Sequence, residues 1–483
     1  MYLNKIYNKK NILNHKVSKI TDFVDDIIKD SIFVAIKGYN YNGINYIGEA
    51  ISNGAKTIVY DQNINIDEFI SNENISINFI KVIDSKVELA KLLKIFYNKK
   101  KYPKIIVVTG TNGKTSTTNY LYQILKKNNH NTLLIGTNYI YKFVDTNETM
   151  EKTKNTTLKI TRIYELMFEK KYEYVIMEAS SQGIEEGRLL GLLFDVVCFT
   201  NITQDHLDYH KTMDNYVHSK SKIIYSLKEN GTLILNYDMA YFNYLKKISL
   251  KNTITYSLYN KEADYYMENF KSKIFKINSS IDNESNYIET NLIGSFNLEN
   301  LLAAYCIFKS LNLNVLKFTK NTQFIKHVKG RMNLYKMNDF YVLIDFAHTP
   351  DGVYRVLNDF STMNYNKIIT VIGCGGCKDK EKRHIIGNYA TKYSDYVIFT
   401  EDNSRSELIE DIVKDIIIDV KTDNYEIIYD RVFAIEKALL IAKKDDIILI
   451  LGKGSEEFIV KNEIIKHSDI DFIENKGAIR LNG

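Results

Sequence analysis

The segment IIVVTGTNGKTSTTNYLYQIL, residues 105–125, constrains the fold most, because a buried strand, a glycine turn and a helix follow one another without a gap. The β-branched apolar run Ile105–Val108 is typical of a parallel strand covered on both faces. After the turn, Leu121 and Leu125 fall on one stripe at helical spacing. Chains that repeat strand, turn and helix in this order form α/β sheets.

The turn in this segment has the composition of a phosphate-binding loop. We expect backbone amides from Gly110 to Lys114 to converge at the helix N-terminus, where they favour an anion. Lys114 would add a positive charge, and Thr115 a hydroxyl for magnesium. The common GxxxxGK[ST] loop begins with glycine, whereas position 108 is Val, so an ordinary turn with a solvated lysine remains an alternative. The candidate nucleotide-binding residues are Gly110, Thr111, Asn112, Gly113, Lys114, Thr115 and Ser116.

Length and composition limit the class of protein. The 483 residues exceed one ordinary core, so two or three domains are expected. With 64 Lys and Arg against 59 Asp and Glu, the net charge of +5 is too slight to predict nucleic-acid binding. No run reaches the roughly 18 apolar residues of a membrane span, and the N-terminus lacks the apolar core of a signal peptide. We therefore expect a cytoplasmic protein that acts on small anionic molecules.

The four cysteines are too few for a disulfide scaffold in a chain of this size. Cys374 and Cys377 form a CxxC, but a zinc ribbon needs a second such pair and a redox motif needs a thioredoxin-like setting. We interpret both as residues of a glycine turn after a strand, and metal or redox use is the alternative.

Alternating apolar strands and helical stretches run along the whole chain and predict an α/β fold with a mainly parallel central sheet. A basic run before Pro103 and a restart of the pattern after KHVKGRMNLY mark the boundaries. We predict domains at residues 1–102, 103–327 and 328–483. Hinges are expected near residues 100–103 and 326–332.

Polar side chains follow successive strands of the middle region. Glu178, in YVIMEASSQG, is a carboxylate suited to magnesium. Asp205 and His206 follow the next strand, and Lys220 lies about four turns further on if the intervening segment is helical. Because the carboxyl ends of parallel strands meet at one edge of a sheet, we expect these side chains to converge. Taken singly, Glu178 and Asp208 also fit solvated strand ends or helix caps.

His206 and His210 are four residues apart, a spacing that zinc sites use. The zincin pattern requires Glu directly after the first histidine, and Leu207 stands there instead. We interpret the pair as satisfied histidines on a helix face, and zinc binding is the alternative.

Several long motifs occur in the order found in one enzyme family. They are GTNGKTS, MEASSQG, TNITQDHLDYHKTMDNYVHSK, GSFNLENLLAA, KGRMNLY, IDFAHTPDGV, GCGGCKDKEKR and DNSRSE. The chain resembles the Mur ligases, and within them the branch called MurE, which adds the third amino acid of the peptidoglycan precursor. The resemblance covers nearly the whole chain.

The resemblance implies three α/β domains: an N-terminal domain for the nucleotide sugar, a central P-loop-type ATPase domain, and a C-terminal Rossmann-like domain that brings the amine. It implies that ATP phosphorylates a carboxylate of UDP-N-acetylmuramoyl-L-alanyl-D-glutamate. An amine then attacks the acyl phosphate to give an amide, ADP and phosphate. We expect a monomer with small-molecule substrates and no nucleic-acid or membrane partner.

Residue roles also follow from the resemblance. The implied catalytic residues are Lys114, Glu178, His206, Lys220, Arg331 and Asp345. The implied magnesium ligands are Thr115, Glu178, His206 and Lys220. Further nucleotide contacts are implied for Asn297, Asn300, Arg331 and Asp345, although both asparagines also fit helix caps. The implied residues for the nucleotide-sugar peptide are Asn155, Thr156, Thr157, Ser180, Glu186 and Arg188. Those for the amine are Lys378, Asp402, Asn403, Ser404, Arg405, Gly452 and Glu456.

An unmodified lysine is unexpected at Lys220, because magnesium ions would repel its ammonium group. In relatives the matching lysine carries a carbamate derived from carbon dioxide, and the resemblance implies the same modification of Lys220. Lys222 is two residues away, and only the count from DHLDYH favours Lys220.

The chain departs from the family at both substrate ends. An N-terminal DSR that helps hold uridine is Asp22-Phe23-Val24 here, which leaves open a Mur-like ligase for a carboxylate without UDP. Arg405 of DNSR suits the second carboxylate of a diacid amine, whereas Lys378 replaces an arginine. We expect meso-2,6-diaminopimelate or an analogue such as lanthionine. A nucleotide-binding protein without catalysis is a further alternative, and the intact metal-ligand set argues against it.

Overall fold

The computed structural model of the protein describes residues 1–7, 12–38, 42–66, 69, 76–98, 101–153 and 155–482. The chain divides into two compact units. The first unit consists of Met1–Val107, Asn129–Asp195 and Lys222–Gly231. The second unit consists of Val108–Asn128, Val196–Ser221 and Thr232–Gly483.

The described strands form sheets of four, eleven, seven and two strands. In chain order they are β1 Ile20–Thr21, β2 Ser31–Ala35, β3 Ala55–Asp61, β4 Asn78–Val82, β5 Lys104–Thr109, β6 Thr132–Ile135, β7 Tyr139–Val144, β8 Asn147–Lys152, β9 Tyr174–Ala179, β10 Phe194–Phe199, β11 Leu227–Asn236, β12 Asn252–Ser257, β13 Tyr265–Lys271, β14 Ile274–Ser279, β15 Ser285–Glu289, β16 Asn333–Met337, β17 Phe340–Asp345, β18 Ile368–Ile372, β19 Tyr396–Phe399, β20 Tyr425–Ile427, β21 Ile447–Leu451, β22 Phe458–Val460, β23 Ile464–Lys466 and β24 Ile479–Arg480.

Helices alternate with these strands along most of the chain. They are α1 Ile47–Ser52, α2 Ser85–Phe96, α3 Lys114–Lys127, α4 Ile160–Glu169, α5 Ser181–Glu185, α6 Leu207–His210, α7 Met213–Ser221, α8 Phe242–Ile248, α9 Ser295–Ser310, α10 Val315–Thr319, α11 Pro350–Ser361, α12 Glu381–Tyr393, α13 Ile409–Ile417, α14 Arg431–Ile441 and α15 Asp469–Asn475. Within the described residues, no helix combines the length and the apolar character needed to cross a bilayer.

The N-terminal sheet is parallel and has the order β1-β2-β3-β4. Every residue of β2 is buried, which is why its sequence SIFVA has almost no polar residue. The helix α2 begins where Asp84 accepts a hydrogen bond from the amide of Val87, an N-cap interaction. These elements confirm the predicted α/β character of the N-terminal region.

The eleven-stranded sheet has the order β15-β14-β13-β12-β11-β10-β5-β9-β6-β7-β8. The pairs β6–β9, β11–β12 and β12–β13 are parallel. Antiparallel pairs β6–β7, β7–β8, β13–β14 and β14–β15 extend the sheet at both edges. The prediction of a parallel-rich sheet is therefore confirmed, with antiparallel edges that the strand spacing did not reveal.

The C-terminal sheet has the order β20-β19-β18-β21-β17-β16-β24. Strands β20 to β17 in that order are parallel, and β16 and β24 add antiparallel edges. Leu343 packs into the hydrophobic cluster on one face, and Val342 and Ile344 pack into the cluster on the other. A parallel sheet buried on both faces confirms the predicted Rossmann-like region.

The predicted boundaries at 102/103 and 327/328 remain predictions, because the two compact units follow a different division of the chain. The hinge predicted near residues 100–103 lies partly outside the described residues.

Candidate active site

The turn between β5 and α3 requires glycine at two positions. Gly110 and Gly113 have φ of 151° and 85°, a region that L side chains avoid. A Cβ at Gly110 would collide with the hydroxyl of Thr200, and one at Gly113 would collide with the side-chain oxygen of Asn300. The loop is thus a close-fitting backbone cradle at the start of α3.

Asn201 occupies part of the anion site that we predicted in this loop. The amide of Thr111 donates to the backbone oxygen of Asn201 (2.9 Å), and the amide of Asn112 donates to its Oδ1 (2.9 Å). These two amides therefore face the protein and not an anion. Because the N-terminus of a helix favours an anion, a phosphate site would be centred on Gly113 to Ser116.

Two lysines converge on the carbonyl oxygen of Gly110. Nζ of Lys114 donates to it at 2.8 Å, and Nζ of Lys220 donates to it at 2.9 Å. Lys114 also donates to the carbonyl of Thr111 (2.8 Å). Lys220 is only 1% exposed and lies over the ring of Tyr216. Its burial, together with the charge of Lys114, lowers the pKa of Lys220 well below its usual value.

The segment from His206 to Lys220 is not one helix. His206 has φ 56° and precedes α6, which ends at His210. Lys211 has φ 68° and separates α6 from α7, which begins at Met213. His206 is exposed whereas His210 is buried, so the two histidines do not share the helix face that their spacing suggested. Among the described residues no three His, Cys, Asp or Glu side chains are grouped to hold a metal.

Asp205 lies between His206 and a lysine. Oδ2 of Asp205 is 3.3 Å from Nε2 of His206, and Oδ1 is 3.6 Å from Nζ of the buried Lys382. Burial would raise the pKa of Asp205, but His206 and Lys382 hold it well below its usual range. About half of the His206 side chain is exposed. Burial of the other part, followed by the charges of Lys220 and Lys114, lowers the pKa of His206 against the opposing effect of Asp205.

A cleft of about 150 Å³ in the second unit collects His206 and most of the predicted amine residues. Its lining residues are Asp205, His206, Asp208, Phe346, His348, Cys374, Gly375, Lys378, Lys382, Asp402, Asn403, Arg405, Gly452 and Glu456. The ends of β17, β18, β19 and β21 supply most of these side chains, as expected for the carboxyl edge of a parallel sheet. Ser404 is buried and does not line the cleft.

Lys453, which sequence reasoning did not select, anchors one wall of this cleft. Its side chain is fully buried. Nζ donates to Oε2 of Glu456 (2.8 Å) and Oδ1 of Asn403 (3.2 Å), and lies 3.8 Å from Oδ1 of Asp402. The sequence could have suggested Lys453, because it lies between Gly452 and Glu456, which were both expected at the amine site.

Arg405 is fixed by carbonyl groups of its own loop and of the loop after β18. Its backbone has φ 55°, and Nη1 donates to the carbonyl oxygens of Gly376 (2.7 Å) and Asn403 (3.1 Å). The remaining edge of the guanidinium keeps the donor geometry that binds a carboxylate.

Asp345 is held by two backbone amides, and its predicted place beside the nucleotide remains a prediction. Its Oδ2 accepts from the amide of Met332 (2.8 Å), and its Oδ1 accepts from the amide of Ala347 (2.7 Å). Burial raises the pKa of Asp345, against the effect of Arg331. Arg331 lies over the ring of Phe346, with Cζ 4.1 Å from the centroid. Asp345 therefore links the segment before β16 to the turn that follows β17.

Asn297 and Asn300 join α9 to α3 and are not helix caps. The hydroxyl of Tyr120 donates to Oδ1 of Asn297 (2.9 Å), and Nδ2 of Asn297 donates to the carbonyl of Ile293 (2.8 Å). Thr117 donates to Oδ1 of Asn300 (3.3 Å). Both asparagines are buried, so their predicted adenine contacts remain predictions.

In the first unit, Glu178 is buried at the end of β9. Its Oε1 accepts from the amide of Thr137 (3.0 Å), and its Oε2 accepts from the hydroxyl of the same residue (2.8 Å). Thr115, His206 and Lys220 belong to the second unit, so the four-residue magnesium site remains a prediction.

A second cavity, of about 200 Å³, lies within the first unit. Its lining residues are Asp22, Ile36, Gly38, Lys86, Leu89, Ala90, Lys159, Ile160, Glu186, Gly187, Arg188 and Leu190. Glu186 and Arg188 were expected from the sequence, whereas Lys86 and Lys159 were not. Asn155 and Thr156 do not line this cavity.

Hydrogen bonds order the wall of this cavity. Nη1 of Arg188 donates to the carbonyl of Thr157 (2.8 Å), whose hydroxyl accepts from the amide of Ser180 (2.9 Å). Asp22 accepts from Lys159 (3.1 Å) and from Thr161 (3.3 Å). Asp22 is therefore retained in a charged setting although the rest of the DSR motif has changed.

Comparisons with known proteins agree over almost the entire chain. A family model described as the Mur ligase middle domain matches residues 108–308, and one described as the Mur ligase glutamate ligase domain matches residues 330–454. The chain is 35% identical over 472 residues to the UDP-N-acetylmuramoyl-L-alanyl-D-glutamate--2,6-diaminopimelate ligase of Clostridium botulinum, with 95% of each chain covered. Its identity to the enzyme of the same name from Clostridium tetani is 36%, covering 93% of this chain and 92% of that one.

Solved structures show the same relationship. A UDP-N-acetylmuramoyl-L-alanyl-D-glutamate--2,6-diaminopimelate ligase matches with a TM-score of 0.68 and 25% identity, covering 99% of this chain and 98% of that chain. MurF ligase from Thermotoga maritima in complex with ADP matches with a TM-score of 0.63, covering 90% of this chain and 93% of that chain. At 19% identity the second match shows the fold alone.

Proposed function

The chain belongs to the Mur ligase family, and we propose that it uses ATP to join meso-2,6-diaminopimelate, or a close analogue such as lanthionine, to UDP-N-acetylmuramoyl-L-alanyl-D-glutamate. Relatives that carry this activity in their names share 33% to 36% identity with it over most of their length. The product would be a precursor of peptidoglycan.

The cleft in the second unit is the observation that carries the proposal. It presents Arg405 and Lys378 as cations, and Glu456 and Asp402 as anions, around one space. A diamino dicarboxylate needs both signs of charge, because each end of the molecule carries an ammonium and a carboxylate. Salt bridges to Arg405 would fix the end far from the reacting amine.

The phosphate loop would bind the β- and γ-phosphates of ATP through the first amides of α3. Lys114 would leave the carbonyl of Gly110 and follow the γ-phosphoryl group as it moves to the carboxylate. Magnesium held by Thr115, Glu178 and His206 would offset the charge that builds up on the phosphate oxygens. The loop has backbone torsions that favour glycine, as expected where a phosphate approaches the backbone closely. Hydroxyl, carboxylate and imidazole groups are also suitable donors for magnesium.

We also propose that Lys220 carries a carbamate. In the unmodified form Lys220 is buried close to the charge of Lys114, and both effects disfavour a second cation there. Carbamylation would convert it into an anionic ligand for the metal. Intact-protein mass spectrometry under carbon dioxide should detect the addition, and Lys220→Ala should abolish turnover with partial rescue by short carboxylates. Full activity of that variant would exclude the carbamate role.

The cavity of the first unit supports an anionic sugar-nucleotide substrate. Lys86, Lys159 and Arg188 line it together, and phosphate groups favour such sites. A substrate without UDP is less well supported, because relatives that align with more than nine tenths of this chain are named for the UDP-linked substrate. We further propose that the protein acts as a cytoplasmic monomer with domains at 1–102, 103–327 and 328–483.

The experiment is a measurement of ADP release by the purified protein with magnesium, ATP, the UDP-linked dipeptide and a panel of amines. We expect turnover only when dipeptide and amine are both present. Loss of Lys114 or Arg331 should lower the rate roughly tenfold to a hundredfold or more, since each removes charge-assisted hydrogen bonds. No release with any amine would refute the proposal.

A further inference from the structure

Asn112 of the phosphate loop is held from two directions. Its Nδ2 donates to Oδ2 of Asp351 (3.0 Å), and its Oδ1 accepts from the hydroxyl of Thr349 (3.2 Å). Both partners stand at the N-terminus of α11. On the other side, the backbone oxygen of Asn112 accepts from the hydroxyl of Thr200 (2.6 Å), which follows β10. The loop thus has one fixed link to α11 and another to β10.

These two links belong to a closed ring of hydrogen bonds. Nε of Arg355 donates to Oδ1 of Asp351 (3.1 Å), and its Nη1 donates to Oε2 of Glu299 (2.7 Å). Nδ2 of Asn236 then donates to Oε1 of Glu299 (2.8 Å) and to the backbone oxygen of Thr200 (2.9 Å). The ring therefore returns through Thr200 to Asn112.

Charge and burial make this ring rigid. The side chain of Glu299 is 5% exposed and that of Arg355 is 30% exposed. One guanidinium bridges two carboxylates, and such charge-assisted bonds are shorter and stronger than neutral ones. Removing one member would leave a buried polar group without its partner, so the ring favours a single arrangement.

The ring also includes a helix of the region that forms the cleft of the second unit, where we propose that the amine binds. Helix α11 lies between β17 and β18 in the chain, and the segments that follow these strands supply His348 and Cys374 to the cleft lining. The same helix that carries Asp351 and Arg355 is therefore part of the frame of the cleft.

We propose that Asp351 and Arg355 are positioning residues that hold the phosphate loop, through Asn112, in the geometry that binds ATP. Only the consequence of this inference rests on the proposed function. That consequence is that tight binding of ATP depends on the contact between the phosphate loop and α11, a helix of the region proposed to bind the amine. The residues act through Asn112 and touch neither substrate nor nucleotide themselves.

A double-mutant cycle tests this link. ATP affinity in the presence of magnesium is measured by calorimetric titration for the full-length wild type, Asp351→Ala, Asn112→Ala and the double variant, with a melting curve for each. Asp359→Ala is the matched control, because this carboxylate of α11 also bonds α9, through the amide of Ser295 (2.7 Å), without touching the loop.

We expect each loop-side single variant to weaken ATP binding roughly tenfold, the effect of one hydrogen bond to a charged group. The double variant should be no weaker than the worse single variant, because both changes break the same link. Asp359→Ala should lower the melting temperature yet keep ATP affinity within about twofold of the wild type.

Three results would overturn the inference: an ATP affinity of Asp351→Ala within about twofold of the wild type, single effects that multiply in the double variant, or an equal loss in Asp359→Ala. If Asp351→Ala does not fold, Asp351→Asn keeps an acceptor for Asn112 but removes the charge facing Arg355, and it should still weaken ATP binding. The titration needs no amine or dipeptide. A wild type that binds ATP but never forms product would therefore refute the proposed function and not the ring.

Discussion

Burial keeps His327 neutral in the folded protein, where its ring accepts a hydrogen bond. Nε2 of His327 accepts from the amide of Ile293 (3.1 Å), and Nδ1 has no partner in the described part of the chain. Burial, and then the charge of Arg480, lowers the pKa of His327 from 6.5 to about 4. The residue lies in the segment predicted as the second hinge.

This histidine should make stability depend on pH. The unfolded chain takes up a proton below about pH 6.5 that the folded chain rejects until about pH 4. Its contribution to the free energy of unfolding is therefore complete above pH 6.5 and falls by up to roughly 3 kcal/mol as the pH drops towards 4. His327→Gln keeps an acceptor for the amide of Ile293. In this variant the free energy of unfolding, measured with urea, should depend less on pH over this interval. An unchanged slope would contradict the assignment.

Alanine substitutions at Gly113 and Gly477 can distinguish the cost of backbone strain from the cost of a steric collision. Both have a left-handed backbone, with φ of 85° and 92°, which costs an alanine roughly 1–2 kcal/mol. A Cβ at Gly477 would meet nothing within 4 Å, whereas one at Gly113 would collide with Asn300. Gly477→Ala should therefore lower stability alone, and Gly113→Ala should lower stability further and weaken ATP binding. Equal effects in melting and titration experiments would show that the collision is relieved without cost.

At the scale of elements, a buried ion pair joins the starts of α14 and α15. Nη2 of Arg431 is 2.7 Å from Oδ2 of Asp469, and both side chains are fully buried. Arg431 also donates to the carbonyls of Glu401 (3.2 Å) and Leu451 (3.0 Å), where β19 and β21 end. Burial would raise the pKa of Asp469, but Arg431 holds it well below its usual range. The pair thus fixes two strand ends that lead into the cleft of the second unit.

Asp469→Asn should destabilise the protein by roughly 3–5 kcal/mol, because it leaves a buried guanidinium without a compensating charge. The matched control is Glu436→Gln, which removes the exposed pair with Lys476 and should cost less than about 1 kcal/mol. Chemical unfolding of both variants measures the difference. Similar losses would mean that the buried pair is not a structural anchor.

At the scale of the whole molecule, selectivity for the amine should depend on Arg405. Arg405→Ala should raise the KM for meso-diaminopimelate roughly tenfold to a hundredfold, the effect of losing charge-assisted hydrogen bonds. L-Lysine, which lacks the second carboxylate, is the matched substrate control and should respond much less. An equal change for both amines in steady-state assays would place Arg405 outside the recognition of that carboxylate.

The order of strands and helices was predictable because each buried strand is a short apolar run, as in β9 and β21, whose residues are all buried. Motif resemblance selected residues that line one cleft of the second unit, and their contact with an amine remains a prediction. Pairings between distant residues were not predictable, because spacing along the chain does not encode them. Three such pairings depend on tertiary packing: Asn201 with the loop amides, Lys453 with Asn403, and Arg355 with Glu299. The oxygens of Asp345 likewise meet backbone amides that no motif reveals.

The central claim is that the chain forms a peptide bond between a sugar-nucleotide dipeptide and a diamino diacid at the expense of ATP. The most direct measurement is the mass of the product after incubation with ATP, magnesium, UDP-N-acetylmuramoyl-L-alanyl-D-glutamate and meso-2,6-diaminopimelate. We predict a UDP-linked tripeptide whose mass equals that of the two substrates less one water, formed together with ADP. Unchanged dipeptide, in the presence of a protein that is folded and binds ATP, would contradict the account.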